Sequence, residues 1–183
     1  MGLTFATGNA GKFAEAQAVM ASRGITLEPW THGYTEVQAD TLDEVALAGA
    51  AELAPRIDGS FFLEDAGLFV DALNGFPGVY SAYVYRTLGC EGILRLMEDV
   101  SDRRSRFEAV IAYRDGSTTR LFRGVARGTL ASAVRGTHGF GFDPIFVPDG
   151  AQRTFAELSA KEKNLVSHRG RALALLVEVL PQR

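Results

Sequence analysis

The stretch "ATGNAGKF" (residues 6–13) constrains the fold more than any other. It joins the apolar run "LTFAT" (3–7) to a segment in which Phe13, Ala16, Val19 and Met20 recur at helical spacing, with Gly24 as a stop. A strand that runs into a helix through a glycine-rich turn points to an α/β sheet with helices packed on it. The turn comes close to the Walker phosphate loop, G-x-x-x-x-G-K-[ST], but Ala6 stands where the first glycine belongs and Phe13 where the hydroxyl belongs. A P-loop kinase is therefore excluded. The turn still has the parts of an anion site. The helix start offers unpaired amides and a partial positive charge, Thr7, Gly8, Asn9, Ala10 and Gly11 let an anion approach, and Lys12 adds a full charge. A plain βα turn with a solvated lysine fits the same residues.

Further along, "ITLEPW" reads as a second strand, and "TLDEVALAGAAELAPRI" as a helix with Thr41 and Glu44 spaced as a capping box. "SFFLEDAGLFVDAL" reads as an apolar strand broken at Glu64-Asp65-Ala66-Gly67 and followed by a second apolar piece. "NGFPGVYSAY" reads as a turn-rich loop and "GCEGILRLMEDV" as a helix. Two β-rich runs around Asp115-Gly116 form a hairpin, and "GTHGFGFDPIFVPDG" is a loop with aromatics. One or two helices close the chain, the second starting near Ser167. A hairpin late in a chain that begins with a βα unit calls for a mixed sheet, not a purely parallel one. The 183 residues, without repeat or low-complexity tract, suit a single domain over 1–183.

Composition narrows the function. With 46% apolar and 22% charged residues the chain reads as a soluble globular protein, and no apolar run nears the ~18–20 residues of a membrane span. The opening residues lack the marks of a secretory signal, and Ala6 breaks the myristoylation pattern. The single cysteine, Cys90, forbids an intramolecular disulfide and suits a reducing compartment, so a cytoplasmic location is expected. No nearby His or Asn would activate its thiol, which reads as half-buried and structural at a helix start. A net charge of −3 gives no basic footprint, so neither a nucleic-acid nor a membrane partner is expected. Local cations and a metal can still hold a small polyanion on an acidic protein.

Four polar constellations interrupt the apolar elements. The Thr7–Lys12 turn is one. Glu64-Asp65, after "FFL", is the second: carboxylates beside a buried strand are costly unless paired or metal-bound, and hard oxygen donors suit Mg²⁺. Glu36 and Asp40 are further candidate ligands, and solvated loop acids are the plainer reading of both sets. The third is "HGFGFDP" (138–144), whose aromatics suit stacking on a base or a buried turn. The fourth, "EKNLVSHRGRA" (162–172), sets Lys163, His168 and Arg169 at helix ends, as donors or as a charged face. Together they are the parts of a nucleotide-hydrolysing site. No HExxH, CxxC or GxSxG motif supports a zinc protease, a zinc ribbon or a serine hydrolase.

The same segments resemble the inosine triphosphate pyrophosphatase family. The matching stretches are "TGNAGK", "TEVQAD", "EDAGL", "GFPGVYSAY", "FRGVARG", "GFGFDPIFVPDG", "TFAEL" and "EKNLVSHRGRAL", in the family's order and over nearly the whole chain. The resemblance implies an elongated α/β fold with a mixed sheet and two lobes around a nucleotide cleft, in a homodimer. It implies Mg²⁺-dependent hydrolysis of ITP, dITP and XTP to a nucleoside monophosphate and pyrophosphate, cleansing the nucleotide pool. It assigns Thr7, Gly8, Asn9, Ala10, Gly11 and Lys12 to the phosphates, and Asp65 as general base and, with Glu36, metal ligand. Phe140, Gly141, Phe142 and Asp143 would flank base and sugar, and Lys163, His168 and Arg169 would complete recognition. Ala66 departs from the Ser or Thr of many members, leaving only a backbone contact there. A pyrophosphatase of other nucleotide preference and a nucleotide-binding regulator without turnover are the competing readings.

Overall fold

The apolar run at the N-terminus becomes β1 (Leu3–Ala6), and Asn9 turns the chain into α1 (Ala10–Ala21) by accepting the Lys12 N–H on its side chain. The computed structural model describes residues 2–180. There follow β2 (Leu27–Trp30), α2 (Leu42–Leu53), β3 (Phe61–Val70), α3 (Ser81–Thr87), α4 (Gly89–Leu96), β4 (Arg104–Asp115), β5 (Thr118–Leu130), β6 (Phe146–Pro148), α5 (Ala160–Val166) and α6 (His168–Val179). Both halves of the expected capping box form at α2: Thr41 Oγ1 accepts the Glu44 N–H, and Glu44 Oε2 accepts the Thr41 N–H at 3.0 Å.

The sheet order is β2-β1-β3-β4-β5-β6. β1 runs parallel to β2 and β3; every later pair is antiparallel. The sheet is therefore mixed, as expected. Strands of 10, 12 and 13 residues at its centre make it about 40 Å long at ~3.3 Å per residue. One end of these strands carries β1 and β2 with α1 and α6 on one face and α2 on the other. The other end packs on α3, α4 and the Phe146–Phe155 region. These are the two lobes.

Two readings need correction. Glu64–Gly67 does not break the strand: β3 pairs with β4 without interruption from Phe61↔Arg114 to Val70↔Ser105. Ladder bonds carry the backbone through the polar residues, so the acidic pair sits in mid-strand. Likewise "NGFPGVYSAY" is not all loop, since α3 begins at Ser81 inside it. There the Ser81 hydroxyl donates to Gly78 O at 2.7 Å and accepts the Leu68 N–H at 2.8 Å, fastening the helix start to β3. The Asp115-Gly116 hairpin and the helix capped by Ser167 are both present.

Candidate active site

Alternation along β3 separates the two carboxylates. Phe62 joins the core beneath α1 and α6, whereas Phe61 and Leu63 join the core beneath α2. At a period of two, Glu64 follows Phe62 and Asp65 follows Leu63. Adjacent acids thus meet different surroundings.

Glu64 enters an ionic cluster. Arg169 grips it side-on, Nε to Oε2 at 2.6 Å and Nη2 to Oε1 at 2.8 Å. Arg169 Nη1 also donates to Glu15 Oε2 at 2.5 Å. Lys163 Nζ bridges Glu15 Oε1 at 2.7 Å and Asp143 Oδ2 at 2.5 Å. All five side chains are buried, and each charge has a partner. Burial alone would raise the Glu64 pKa, but Arg169 and Lys12 outweigh it and hold the carboxyl below its usual range. Glu15 escaped the sequence reading. It flanks the Phe13–Ala16–Val19–Met20 stripe, and a carboxylate at the edge of an apolar face is the signal that marks it.

Asp65 has no cation in direct contact among the described residues. Burial pushes its carboxyl up to about 6; Lys12 and the Ala66 backbone oppose this, and the charges of Glu36 and Glu64 add to it. Tyr34, half-buried nearby, has its phenol raised well above the usual value by burial first and then by the charges of Asp65, Glu36 and Glu64. A partly buried carboxylate beside further acids attracts a cation. Asp65 and Glu36 are hard donors, and two carboxylates that leave the rest of the shell to water and substrate phosphates match the habit of Mg²⁺. Among the described residues no cluster of three or more His, Cys, Asp or Glu forms a closed protein cage. Asp40 is exposed and does not line the cleft.

The βα turn stands beside these acids. Thr7 Oγ1 accepts the Asn9 N–H at 3.1 Å, and Asn9 Oδ1 accepts the Lys12 N–H at 3.0 Å. Lys12 Nζ donates to Glu64 O at 3.0 Å, which aims the ammonium along β3. Thr7, Gly8, Asn9 and Lys12 line the cleft; Ala10 and Gly11 do not. Gly11 is needed for space, because a Cβ there would lie 2.6 Å from Phe140 Cδ1. Phe140 in turn lies under two cations, 4.9 Å from Lys163 Nζ and 5.3 Å from Arg169 Cζ. Its N–H donates to Asp143 Oδ2 at 2.8 Å. Phe142 is buried edge-on against Tyr85, at 5.3 Å between centroids.

His168 stacks on Phe107 with 4.6 Å between ring centroids and is buried, with no hydrogen-bond partner for Nδ1 among the described residues. Burial, with the charges of Arg169, Lys163 and Lys12, drives its pKa well below the usual value, so the ring is neutral. The cleft that gathers Thr7, Glu36, Asp65, Phe140, Lys163 and His168 encloses about 1230 Å³ between the two lobes.

A family model described as the Ham1 family matches residues 3–179. The chain belongs to the Ham1 family. It is 54% identical to a protein of Thermococcus kodakarensis named dITP/XTP pyrophosphatase, over 94% of each chain. A protein of Pyrococcus horikoshii with the same name is 48% identical, over 98% of this chain and 97% of its own. Among solved structures, a HAM1 protein from Coxiella burnetii superposes with a TM-score of 0.86 at 34% identity, covering 98% of both chains. A nucleoside-triphosphatase / dITP/XTP pyrophosphatase from Mycobacterium abscessus gives 0.74 at 35% identity, over 97% of this chain and 99% of that one. The resemblance drawn from the motifs is borne out, and so is the α/β fold.

Proposed function

We propose that this chain hydrolyses non-standard purine nucleoside triphosphates, ITP, dITP and XTP, to a nucleoside monophosphate and pyrophosphate. The observation that carries the reading is Asp65: a partly buried carboxylate with no cation in contact among the described residues, held up to about 6, in the cleft that Lys12 and the Thr7–Asn9 turn also line. Its relatives' names supply the substrate class.

Glu36 and Asp65 would hold Mg²⁺, which when bound neutralises the triphosphate and polarises phosphorus. The Thr7–Asn9 turn and the Lys12 ammonium, which line the cleft at the start of α1, bind phosphate oxygens. Asp65 orients the attacking water and accepts its proton. Lys12 stabilises the charge that develops on the departing pyrophosphate. Phe140 stacks on the base. Arg169 has five N–H groups, and three of them are engaged by Glu64 and Glu15. The other two donors suit the 6-carbonyl of hypoxanthine or xanthine, whereas the 6-amino group of adenine would leave them unpaired. Neutral His168 offers one N–H. A homodimer working in the cytoplasm completes the proposal.

The test is pyrophosphate release from ITP, XTP, dITP, GTP and ATP, with Mg²⁺ and with EDTA. Metal-dependent release from the first three, at least tens-fold faster than from ATP and GTP, is expected. Equal rates on all five would remove the base-recognition roles of Arg169 and His168. Tight ITP binding without release would make the chain a nucleotide-binding regulator.

A further inference from the structure

Residues 31–41 join β2 to α2 without regular structure, yet they bring Glu36 to the cleft. A loop of this kind presents a carboxylate reproducibly only if something holds it. The holding groups lie along one stripe of α2 and the turn after it, at positions 49, 52 and 56. The Thr35 N–H donates to Glu52 Oε2 at 2.9 Å. Glu52 Oε1 accepts from Arg56 Nη1 at 2.8 Å, and the Arg56 guanidinium lies over the Trp30 ring, 5.9 Å from its centroid. Both Glu52 and Arg56 are exposed by more than a third, so water screens this pair and it holds weakly.

The stronger hold is at Gly49. A Cβ built there would fall 2.8 Å from Tyr34 Cε2, 3.0 Å from Tyr34 Cδ2 and 3.1 Å from Leu63 Cδ2. The Tyr34 ring therefore occupies the place of a side chain on the helix, packed against the core that contains Leu63. Glycine is the poorest helix former after proline, so its place inside α2 calls for a packing reason, and the ring supplies one. Tyr34 also lines the cleft, two residues from Glu36.

We propose that Tyr34 is a positioning residue for Glu36: its ring, seated on Gly49, clamps the 31–41 loop to α2 and presents the Glu36 carboxylate to the cleft that Asp65 lines. The proposal rests on the reading of Glu36 as a metal ligand.

The test uses the full chain with Tyr34→Ala, Tyr34→Phe, Gly49→Ala and Glu36→Gln. Two quantities are read: the Mg²⁺ concentration for half-maximal pyrophosphate release from ITP, and the emission of Trp30, the only tryptophan. Tyr34→Ala and Gly49→Ala should raise the Mg²⁺ requirement about tenfold, the lower end for losing support of a ligand, with turnover at saturating Mg²⁺ largely kept. Both should shift Trp30 emission in substrate-free protein. Tyr34→Phe keeps the ring and should match the parent in both. Gly49→Ala retains every side chain, so it carries the test if Tyr34→Ala does not fold. An unchanged Mg²⁺ requirement in Tyr34→Ala and Gly49→Ala, with a raised one in Glu36→Gln, overturns the clamp alone. An unchanged requirement in Glu36→Gln overturns the ligand reading and the clamp with it. Tyr34→Phe behaving like Tyr34→Ala would put the hold in the phenol O–H and overturn the packing argument. Trp30 emission needs neither substrate nor metal, so an unshifted spectrum in Tyr34→Ala counts against the clamp even where no turnover is found.

Discussion

Arg169 holds Glu64 by two parallel hydrogen bonds of 2.6 and 2.8 Å, joining the first turn of α6 to the middle of β3. Both side chains are buried. Removing one partner leaves the other buried charge only partly paired, Arg169 with Glu15 and Glu64 with Lys12, at a cost of up to about 3–5 kcal/mol. Glu64→Gln should therefore lower the urea midpoint sharply, while a Glu64→Leu/Arg169→Met pair should recover much of the loss. The pH dependence has a definite sign. The folded carboxyl titrates below its unfolded value, so its contribution is complete above the ordinary 4.5 and is lost as pH falls through the folded value. Equilibrium unfolding from pH 7 to 3 should show this loss in the parent and a flatter profile in Glu64→Gln.

Asp65 pulls activity and stability in opposite directions. Its folded pKa, about 6, lies above the ordinary 3.8, so the folded state binds the proton more tightly. The cost of ionisation is absent below the unfolded value and complete above about 6, at up to about 3 kcal/mol. In EDTA at pH 8, Asp65→Asn should melt higher than the parent, and the gain should vanish near pH 4. Turnover of the same variant should fall by ~10²–10⁴-fold, the range for a lost general base. Near-normal turnover would take Asp65 out of that role.

Much of the fold was legible because the elements that carry it are locally consistent. Asn9 and Thr41 cap helices that their own apolar spacing predicts, and Asp115-Gly116 turns a hairpin between two β-rich runs. The reading failed where tertiary pairing overrode local polarity. Glu64-Asp65 looked like a strand end, because no local signal shows that β4 pairs across it or that Arg169, 105 positions away, neutralises Glu64. The cleft residues were legible as motifs, but their division of labour was not. Glu15 meets Lys163 and Arg169 only through the packing of α1 on α5 and α6, and Tyr34 meets Gly49 only through the return of α2.

Gly11 separates steric need from chemistry at the phosphate turn. It has no side chain to offer substrate, and its Cβ would press on Phe140, whose ring lies beneath Lys163 and Arg169. Gly11→Ala is favourable for α1 itself, since alanine is the better helix former by about 1 kcal/mol. The helix gain offsets part of the cost of displacing Phe140, so the variant should fold with stability near the parent's. A small displacement of Phe140 should nevertheless lower kcat/KM for ITP roughly tenfold or more, mainly through KM, because positioning losses are steep. A thermal melt and a kinetic comparison on one preparation check both halves. A lowered kcat at unchanged KM would place the fault at the phosphates instead of the base.

Cys90 tests the packing between α4 and the 138–143 loop. Its Sγ–H donates to Gly141 O at 3.5 Å, and the side chain is half-buried. Burial, then the charges of Asp143 and Glu91, pushes the thiol up to about 11. The neutral thiol is thus the form the fold prefers, and stability should decline only as pH rises from about 9 toward 11. At pH 8 the thiolate fraction is about one in a thousand, against roughly a tenth for a cysteine at the ordinary 9.0. Alkylation by iodoacetamide at pH 8 should accordingly run ~10²-fold slower than for a small free thiol, because the thiolate is the reacting species. The rate should climb about tenfold per pH unit until the thiol titrates. Cys90 does not line the cleft, so Cys90→Ser should keep turnover within about twofold. Alkylation at the free-thiol rate would mean that the Cys90–Gly141 contact opens in solution and that the loop carrying Phe140 moves with it.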